Sequence, residues 1–297
     1  MKDKLRLSRI GIRIRDRING MIWLAPSFLG VALFYIVPFG VIVYYSMIDN
    51  PVRRNFVFLD NYKSLFGNAA FQLAARNTIK FSVIAVPLAV VLSLLLALLL
   101  ETRIPLKSQF RTFFLSPLMV PVASVVLIWR VLFHYNGAVN EFLAAFGTDK
   151  IDWLQSDYNQ IVVIALYLWK NLGYNMILFM AALNNIPREL LEVADVEGAS
   201  MTNKLFSIVL RYLSPTILFV TILSVIGSFK VFREVYLLTG DYPYGGLYML
   251  QHFMNNIFKS IDYQRLASAA VVMAIAMVII IAILFIVENS FGKDVEG

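Results

Sequence analysis

Six long apolar stretches constrain this chain more than any other feature of its sequence. A helix of about 20 apolar residues crosses a bilayer core about 30 Å thick, and every stretch comes close to that length or exceeds it. Because lipid offers no partner for backbone polar groups, such segments cross it as helices. We therefore predict an all-α membrane protein with six transmembrane helices. The stretches cover residues 21–48, 81–100, 113–133, 161–183, 212–229 and 266–287.

The composition and the missing motifs exclude several classes of protein. Hydrophobic residues make up 59% of the chain and charged residues 15%, which excludes disorder and argues against a soluble enzyme. The lack of cysteine excludes a disulfide framework and a thiolate metal site. No phosphate-binding loop, metalloprotease motif or serine-hydrolase motif occurs. His134 and His252 lie far apart, and we expect both to be plain polar loop residues. We predict no catalytic residue, metal or cofactor on this chain.

Basic residues are distributed unevenly between the spans. With the N-terminus inside, the inner segments carry 14 Lys and Arg and the outer segments carry 9, not counting Lys80 at the membrane edge. This bias predicts that both termini are cytoplasmic. The net charge of +7 therefore reflects residues that border apolar spans, which argues against a nucleic-acid partner.

The chain is predicted to be organised as one six-span bundle with short flanking segments. Residues 1–20 combine an apolar stripe with five arginines, which predicts an interfacial helix on an anionic inner leaflet; a disordered basic tail is the alternative. Residues 21–290 form the six-span domain, and residues 291–297 form a tail. A cytoplasmic loop over residues 186–199 lies within the domain.

The fourth span carries a polar stripe on one side of its helix. Hydroxyls, amides and an aromatic face in one arc suit the hydroxyl groups and rings of a sugar, so we predict a substrate pathway there; a polar helix–helix contact is the alternative. Ser224 and Ser228 of the fifth span are weaker candidates for the same pathway. The stripe consists of Tyr167, Lys170, Asn171, Tyr174 and Asn175.

Lys170 lies about 14 Å into the fourth span at 1.5 Å per residue, so it needs a partner. We expect Glu234 to lie outside the membrane, which leaves a freed carbonyl, a second subunit, water or an acidic sugar as partner. The favoured interpretation is a neutral oligosaccharide that contacts Tyr174 and Asn175. Arg130 of the third span is expected to extend to the outer headgroups. Kinks are expected near Pro117 and Pro121.

The cytoplasmic loop between spans four and five predicts a short amphipathic helix. Pro187 near its start and Gly198 at its end fit the usual positions of these residues around a helix. Such a helix suits a groove on another protein, although packing on the bundle is an alternative. The residues expected to contact that partner are Glu189, Leu190, Glu192, Val193, Ala194, Glu197, Gly198 and Ala199.

This loop resembles the EAA loop of bacterial ABC importer permeases, over about 30 residues. The resemblance is carried by Ile186, Pro187, Glu189, Leu190, Glu192, Ala194, Glu197, Gly198, Ala199, Phe206, Ile208, Leu210 and Pro215. The loop departs from the pattern at Val193, Glu197 and Arg211. Further likeness narrows the family to sugar permeases of the maltose/glycerol-phosphate type. That likeness includes the runs at 117–121, 169–170 and 232–240, the last followed by Asp241–Gly246 in place of the usual G-G-P.

The resemblance implies a set of partners in a bacterial cell membrane. It implies a second homologous permease subunit, two cytoplasmic ATPase subunits that bind ATP and Mg²⁺, and an extracytoplasmic solute-binding protein. Related permeases contact that binding protein through outer loops, so Tyr244, Gly245 and Gly246 are predicted contacts. The implied function is the permease subunit of an ATP-driven sugar importer. The alternative is a stand-alone secondary transporter or channel, which often shows internal repeats.

Overall fold

The computed structural model describes residues 20, 21, 23–102 and 105–292. The predicted helix over residues 1–20 lies outside this part of the chain apart from Gly20, and the predicted tail lies outside it from residue 293 on. The described residues are mostly helical, with one isolated β-bridge between Ile48 and Phe56. The helices are α1 (Trp23–Ser46), α2 (Asp60–Phe66), α3 (Ala69–Glu101), α4 (Lys107–Met119), α5 (Val122–Leu132), α6 (Ala138–Ala144), α7 (Asn159–Leu183), α8 (Arg188–Val196), α9 (Met201–Lys204), α10 (Leu210–Tyr212), α11 (Ser214–Lys230), α12 (Phe232–Thr239), α13 (Leu250–Lys259) and α14 (Tyr263–Gly292).

Five helical segments in the described residues are long and apolar enough to cross a membrane. They are α1, α3, α7, the continuous pair α11–α12, and residues 263–290 of α14. The bent pair α4–α5 supplies the sixth crossing when it is taken as one span. The prediction of an all-α protein with six spans is therefore confirmed.

The third span is broken and not merely kinked. Helix α4 ends at Met119 and α5 starts at Val122, and their axes differ by 102°. Val120 between them is extended, with φ −87° and ψ 127°, which is the conformation that a following proline favours. Pro121 then stands at the start of α5, where its missing N–H is harmless. Pro117 lies inside α4.

The fifth span is longer than its apolar run. The sequence places its end at residue 229, yet only Val231 separates α11 from α12, and the span reaches Thr239. The charged residues that end the apolar run are therefore inside the helical segment. Glu234 does not lie in an outer loop, contrary to the sequence-based expectation.

Two compact units make up the chain. In the first, residues up to Leu65 with Ile261–Met273, the end of α1 is tied to the segment that follows it. There Asn61 Nδ2 donates to the carbonyls of Ser46 and Ile48, at 3.0 and 2.8 Å.

The second unit, Phe66–Ser260 with the end of the chain, contains the candidate sites. In it α3 packs against α7, α11 and α13, and α7 packs against α4 and α11. Its core has an outer cluster around Phe81 and Tyr167 and an inner cluster around Phe179 and Leu213.

Candidate functional site

The short helix predicted for the cytoplasmic loop is present as α8. Pro187 stands just before it with φ −59°. At its other end Gly198 has φ +75°, a conformation that glycine adopts without a steric penalty. The N–H of Gly198 donates to Asp195 O at 3.1 Å and the N–H of Ala199 donates to Ala194 O at 2.9 Å. These two bonds form a Schellman motif, which ends the helix sharply.

Helix α8 packs on the bundle along one edge and leaves the other edge open. Ala194 is 7% exposed, and Leu191 packs on the inner cluster. Val193 and Val196 are 55% and 89% exposed. The residues expected to contact a partner are thus divided, because Ala194 turns inward while Val193 is exposed. Leu190, Glu189, Glu192 and Glu197 are exposed beside the open edge.

Three members of the polar stripe on α7 are engaged in helix contacts. The hydroxyl of Tyr167, 2% exposed, donates to the backbone carbonyl of Ser224 at 2.6 Å. Asn175 Nδ2 donates to Ser224 Oγ at 3.1 Å, and Asn175 is also 2% exposed. Asn171 Nδ2 donates to Tyr167 O at 2.7 Å. Tyr167 and Asn175 therefore hold α7 to α11, as the alternative interpretation expects, whereas the bond of Asn171 lies within α7.

The other residues predicted for the pathway differ in how far they are exposed. Ser228 is buried and its hydroxyl lies 2.9 Å from that of Ser82 on α3. Tyr174 is 42% exposed. Of the residues predicted to line a pathway, Tyr174, Lys170 and Asn171 thus keep the most accessible polar surface. The pathway role itself stays a prediction.

Lys170 has an acidic partner within the same chain. Its ammonium forms an ion pair with the carboxylate of Glu234 on α12. Glu234 is only 7% exposed. The expectation that Glu234 lies outside the membrane was wrong, because the fifth span continues past its apolar run. Lys170 is thereby neutralised without a substrate or a second subunit.

A small cavity of about 150 Å³ lies beside this ion pair, between α7 and the α11–α12 segment. Its polar lining includes two residues that were not predicted for this site from the sequence, Lys230 and Glu234. Their spacing of four residues on one continuous helix is the signal that could have found them. The full lining is Leu166, Tyr167, Lys170, Asn171, Gly227, Lys230, Val231 and Glu234.

Arg130 is exposed and contacts the end of α12, and its predicted extension to the headgroups stays a prediction. Its Nη2 donates to the backbone carbonyls of Leu237 and Leu238, at 2.7 and 3.1 Å. These carbonyls belong to the last turn of α12, where helical partners are missing. Arg130 therefore fastens α5 to the end of α12.

The loop that contains Tyr244, Gly245 and Gly246 is held in place by side chains of α3 and α7. Asn77 Nδ2 donates to Gly245 O at 2.7 Å, and Gln160 Nε2 donates to Gly246 O at 2.8 Å. Tyr244 is 51% exposed, so its ring is accessible to a partner. Contact with a binding protein is untested and stays a prediction.

His252 is a buried residue and not a polar loop residue. It is 0% exposed on α13, and its ring lies 4.6 Å from that of Phe232. Burial lowers the pKa of His252 from 6.5 to about 4, against the smaller opposite effect of the Asp241 charge. The neutral imidazole accepts a bond from Met249 N at 3.4 Å through Nδ1.

Several membrane crossings, with a capped helix on the loop between two of them, define a multi-span membrane protein. Residues 89–297 match the family described as the binding-protein-dependent transport system inner membrane component, and the chain belongs to that family. The family resemblance deduced from the EAA-like loop is confirmed. The chain is thus a multi-pass permease of a binding-protein-dependent transport system.

Curated relatives of this chain are permease proteins of sugar transport systems. A trehalose/maltose transport system permease of Thermococcus litoralis is 27% identical over 95% of this chain and 97% of the relative. A sulfoquinovosyl glycerol transport system permease of Agrobacterium fabrum is 30% identical over 77% of this chain and 76% of the relative.

One solved structure matches nearly the whole chain. It is a bacterial ABC transporter involved in the import of the acidic polysaccharide alginate. The TM-score is 0.79 at 20% identity, and the match covers 95% of this chain and 99% of that chain. The likeness establishes that the fold is that of an ABC importer permease.

Proposed function

We propose that this chain forms one half of a heterodimeric translocation pathway in an ATP-driven sugar importer of a bacterial cell membrane. A second, homologous permease subunit supplies the other half. The cargo, a sugar and in our proposal an oligosaccharide, arrives on an extracytoplasmic solute-binding protein and leaves into the cytoplasm. The sugar transport named for the relatives supports this assignment.

Helix α8 is the observation that carries the proposal. A short helix with an exposed apolar and acidic edge, closed at both ends, fits the groove of another protein. Its inward edge packs through Leu191 on the core cluster that contains Phe179 and Leu213, so a movement of α8 is transmitted directly to that cluster. Two cytoplasmic ATPase subunits occupy that position in our proposal. They bind ATP and Mg²⁺, and this chain carries no catalytic residue.

The cargo passes along the accessible polar groups of α7. Tyr174 offers an aromatic face and a hydroxyl, and Lys170 and Asn171 border the cavity. The buried residues Tyr167, Asn175, Ser224 and Ser228 hold α7, α11 and α3 together around that surface. On the outer side, Tyr244 and the adjoining glycines contact the binding protein.

The substitution Val193→Asp tests the coupling assignment. It places a charge on the open edge of α8 without filling the buried edge, so we expect the permease to reach the membrane but to lose its ATPase subunits. Co-purification of the ATPase with a tagged permease and substrate-stimulated ATP hydrolysis are the two measurements.

The matched control is Val52→Asp, the same substitution at a residue that is 89% exposed in an outer segment. It should leave both measurements unchanged. Normal coupled hydrolysis in the Val193→Asp importer would remove α8 from the mechanism.

A further inference from the structure

Lys230 is a charged residue at bilayer depth that takes no part in the ion pair between Lys170 and Glu234. It lies nine residues before the end of the fifth span at Thr239. At 1.5 Å per residue this is about 14 Å, close to the middle of a hydrocarbon core about 30 Å thick. A cation at this depth is costly when it faces lipid, so it faces the bundle interior or a water-filled path.

Within the part of the chain that the structure describes, Lys230 makes no hydrogen bond and no ion pair. The one acid in the cavity, Glu234, is engaged by Lys170. Lys170, Lys230 and Glu234 together leave one uncompensated positive charge in the cavity. Lys230 is also exposed, so its ammonium is accessible to a group from outside this chain.

The cavity has room for such a group. Its volume of about 150 Å³ is several times the roughly 30 Å³ that one water molecule occupies in the liquid, so an ionised acidic group fits together with water. The amide of Asn171 offers a further polar group in the same lining.

We propose that Lys230 receives the acidic group of the cargo, so that this importer carries an anionic saccharide with a carboxylate, sulfonate or phosphate group. This inference rests on the proposed sugar-import function and specifies its substrate class. It replaces the neutral oligosaccharide favoured by the sequence, because the structure places Lys230 within the fifth span and in the lining of the cavity.

The experiment measures uptake into cells that express the complete importer. The probes are labelled saccharides in pairs of matched size: digalacturonate with its dimethyl ester, and glucose 6-phosphate glycosides with their dephosphorylated forms. We expect uptake of the acidic member of at least one pair. Lys230→Gln should raise its half-saturating concentration about tenfold or more, the usual effect of losing a hydrogen bond to a charged group. Lys230→Arg should preserve uptake.

Lys80→Gln is the matched control, because Lys80 is an exposed lysine of the membrane helix α3 that lies outside the cavity. It should transport like the unchanged importer. Uptake of neutral members alone would overturn the anionic inference and leave the sugar-import function standing. Failure to import any saccharide would contradict both. A Lys230→Gln importer that separates from its second permease subunit would instead assign Lys230 to the subunit interface and overturn the inference.

Discussion

Two charged side chains within the spans, Lys170 and Arg130, find partners that lie far away in the sequence. Lys170 pairs with Glu234, and Arg130 donates to two carbonyls at the end of α12. Each contact joins a different helix to α12, so this eight-residue segment is held from two sides. The sequence shows that such charges need partners, but it does not show which helices are neighbours.

The Lys170–Glu234 pair should behave as a coupled unit. Removing Lys170 leaves the buried charge of Glu234 without this partner, which typically costs about 3–5 kcal/mol, and the loss should be smaller when Glu234 is removed, because Lys170 is partly exposed. We expect Lys170→Met and Glu234→Met each to lower the thermal midpoint of the purified protein. The double variant should be more stable than either single variant. Additive losses in this double-mutant cycle would show that the two residues do not interact.

The burial of His252 predicts that the folded protein loses stability in acid. Its pKa is lowered by burial from 6.5 to about 4, so between these pH values the unfolded chain binds a proton that the folded chain excludes. Stability from this group is therefore complete above pH 6.5 and is lost as the pH falls towards 4, by roughly 3 kcal/mol. His252→Leu should flatten the fall of the thermal midpoint in this range.

The control for His252 is the exposed histidine of the chain. His134→Gln should retain the pH dependence of the unchanged protein. An equally steep fall in the His252→Leu variant would rule out this histidine as its source.

At the scale of elements, the bundle depends on helix breaks and on close approaches between helices. The residue before Pro121 is extended, which turns the third span by 102°. Helix α4 then crosses α7 at Gly173, where an added Cβ would lie 1.9 Å from the carbonyl oxygen of Phe114. A small residue is required where two backbones come this close.

Gly173→Ala should therefore separate α4 from α7. Overpacking typically costs about 1–3 kcal/mol, and here the neighbour is backbone that cannot rotate away. We expect a lower thermal midpoint and less folded permease in the membrane. Gly227→Ala is the control, since its added Cβ would lie 3.5 Å from the Tyr167 hydroxyl, an ordinary contact distance. Equal stability of the two variants would disprove the close approach.

At the scale of the whole molecule, the topology remains the main prediction. The distribution of Lys and Arg, 14 in the inner segments against 9 − 2 = 7 in the outer ones once Lys230 and Arg233 are assigned to the fifth span, places both termini and Glu192 in the cytoplasm, with Asp152 and Tyr244 outside. Because the chain has no cysteine, single cysteines at 192, 152 and 244 are clean reporters. An impermeant thiol reagent on intact cells should label positions 152 and 244 only. Labelling at 192 would reverse the orientation.

Local patterns were sufficient for the fold class, the number of spans, α8 and the family, because each depends on hydropathy or on residues close together in the chain. Helix α8 begins after Pro187 and ends before Gly198, because each of these two residues by itself favours the backbone conformation found there. The partner of Lys170, the burial of His252, the contacts of Asn175 and the cavity at Lys230 depend on which helices pack together. Periodicity assigns a polar residue to one side of a helix, but long-range packing determines whether another helix or open space faces that side.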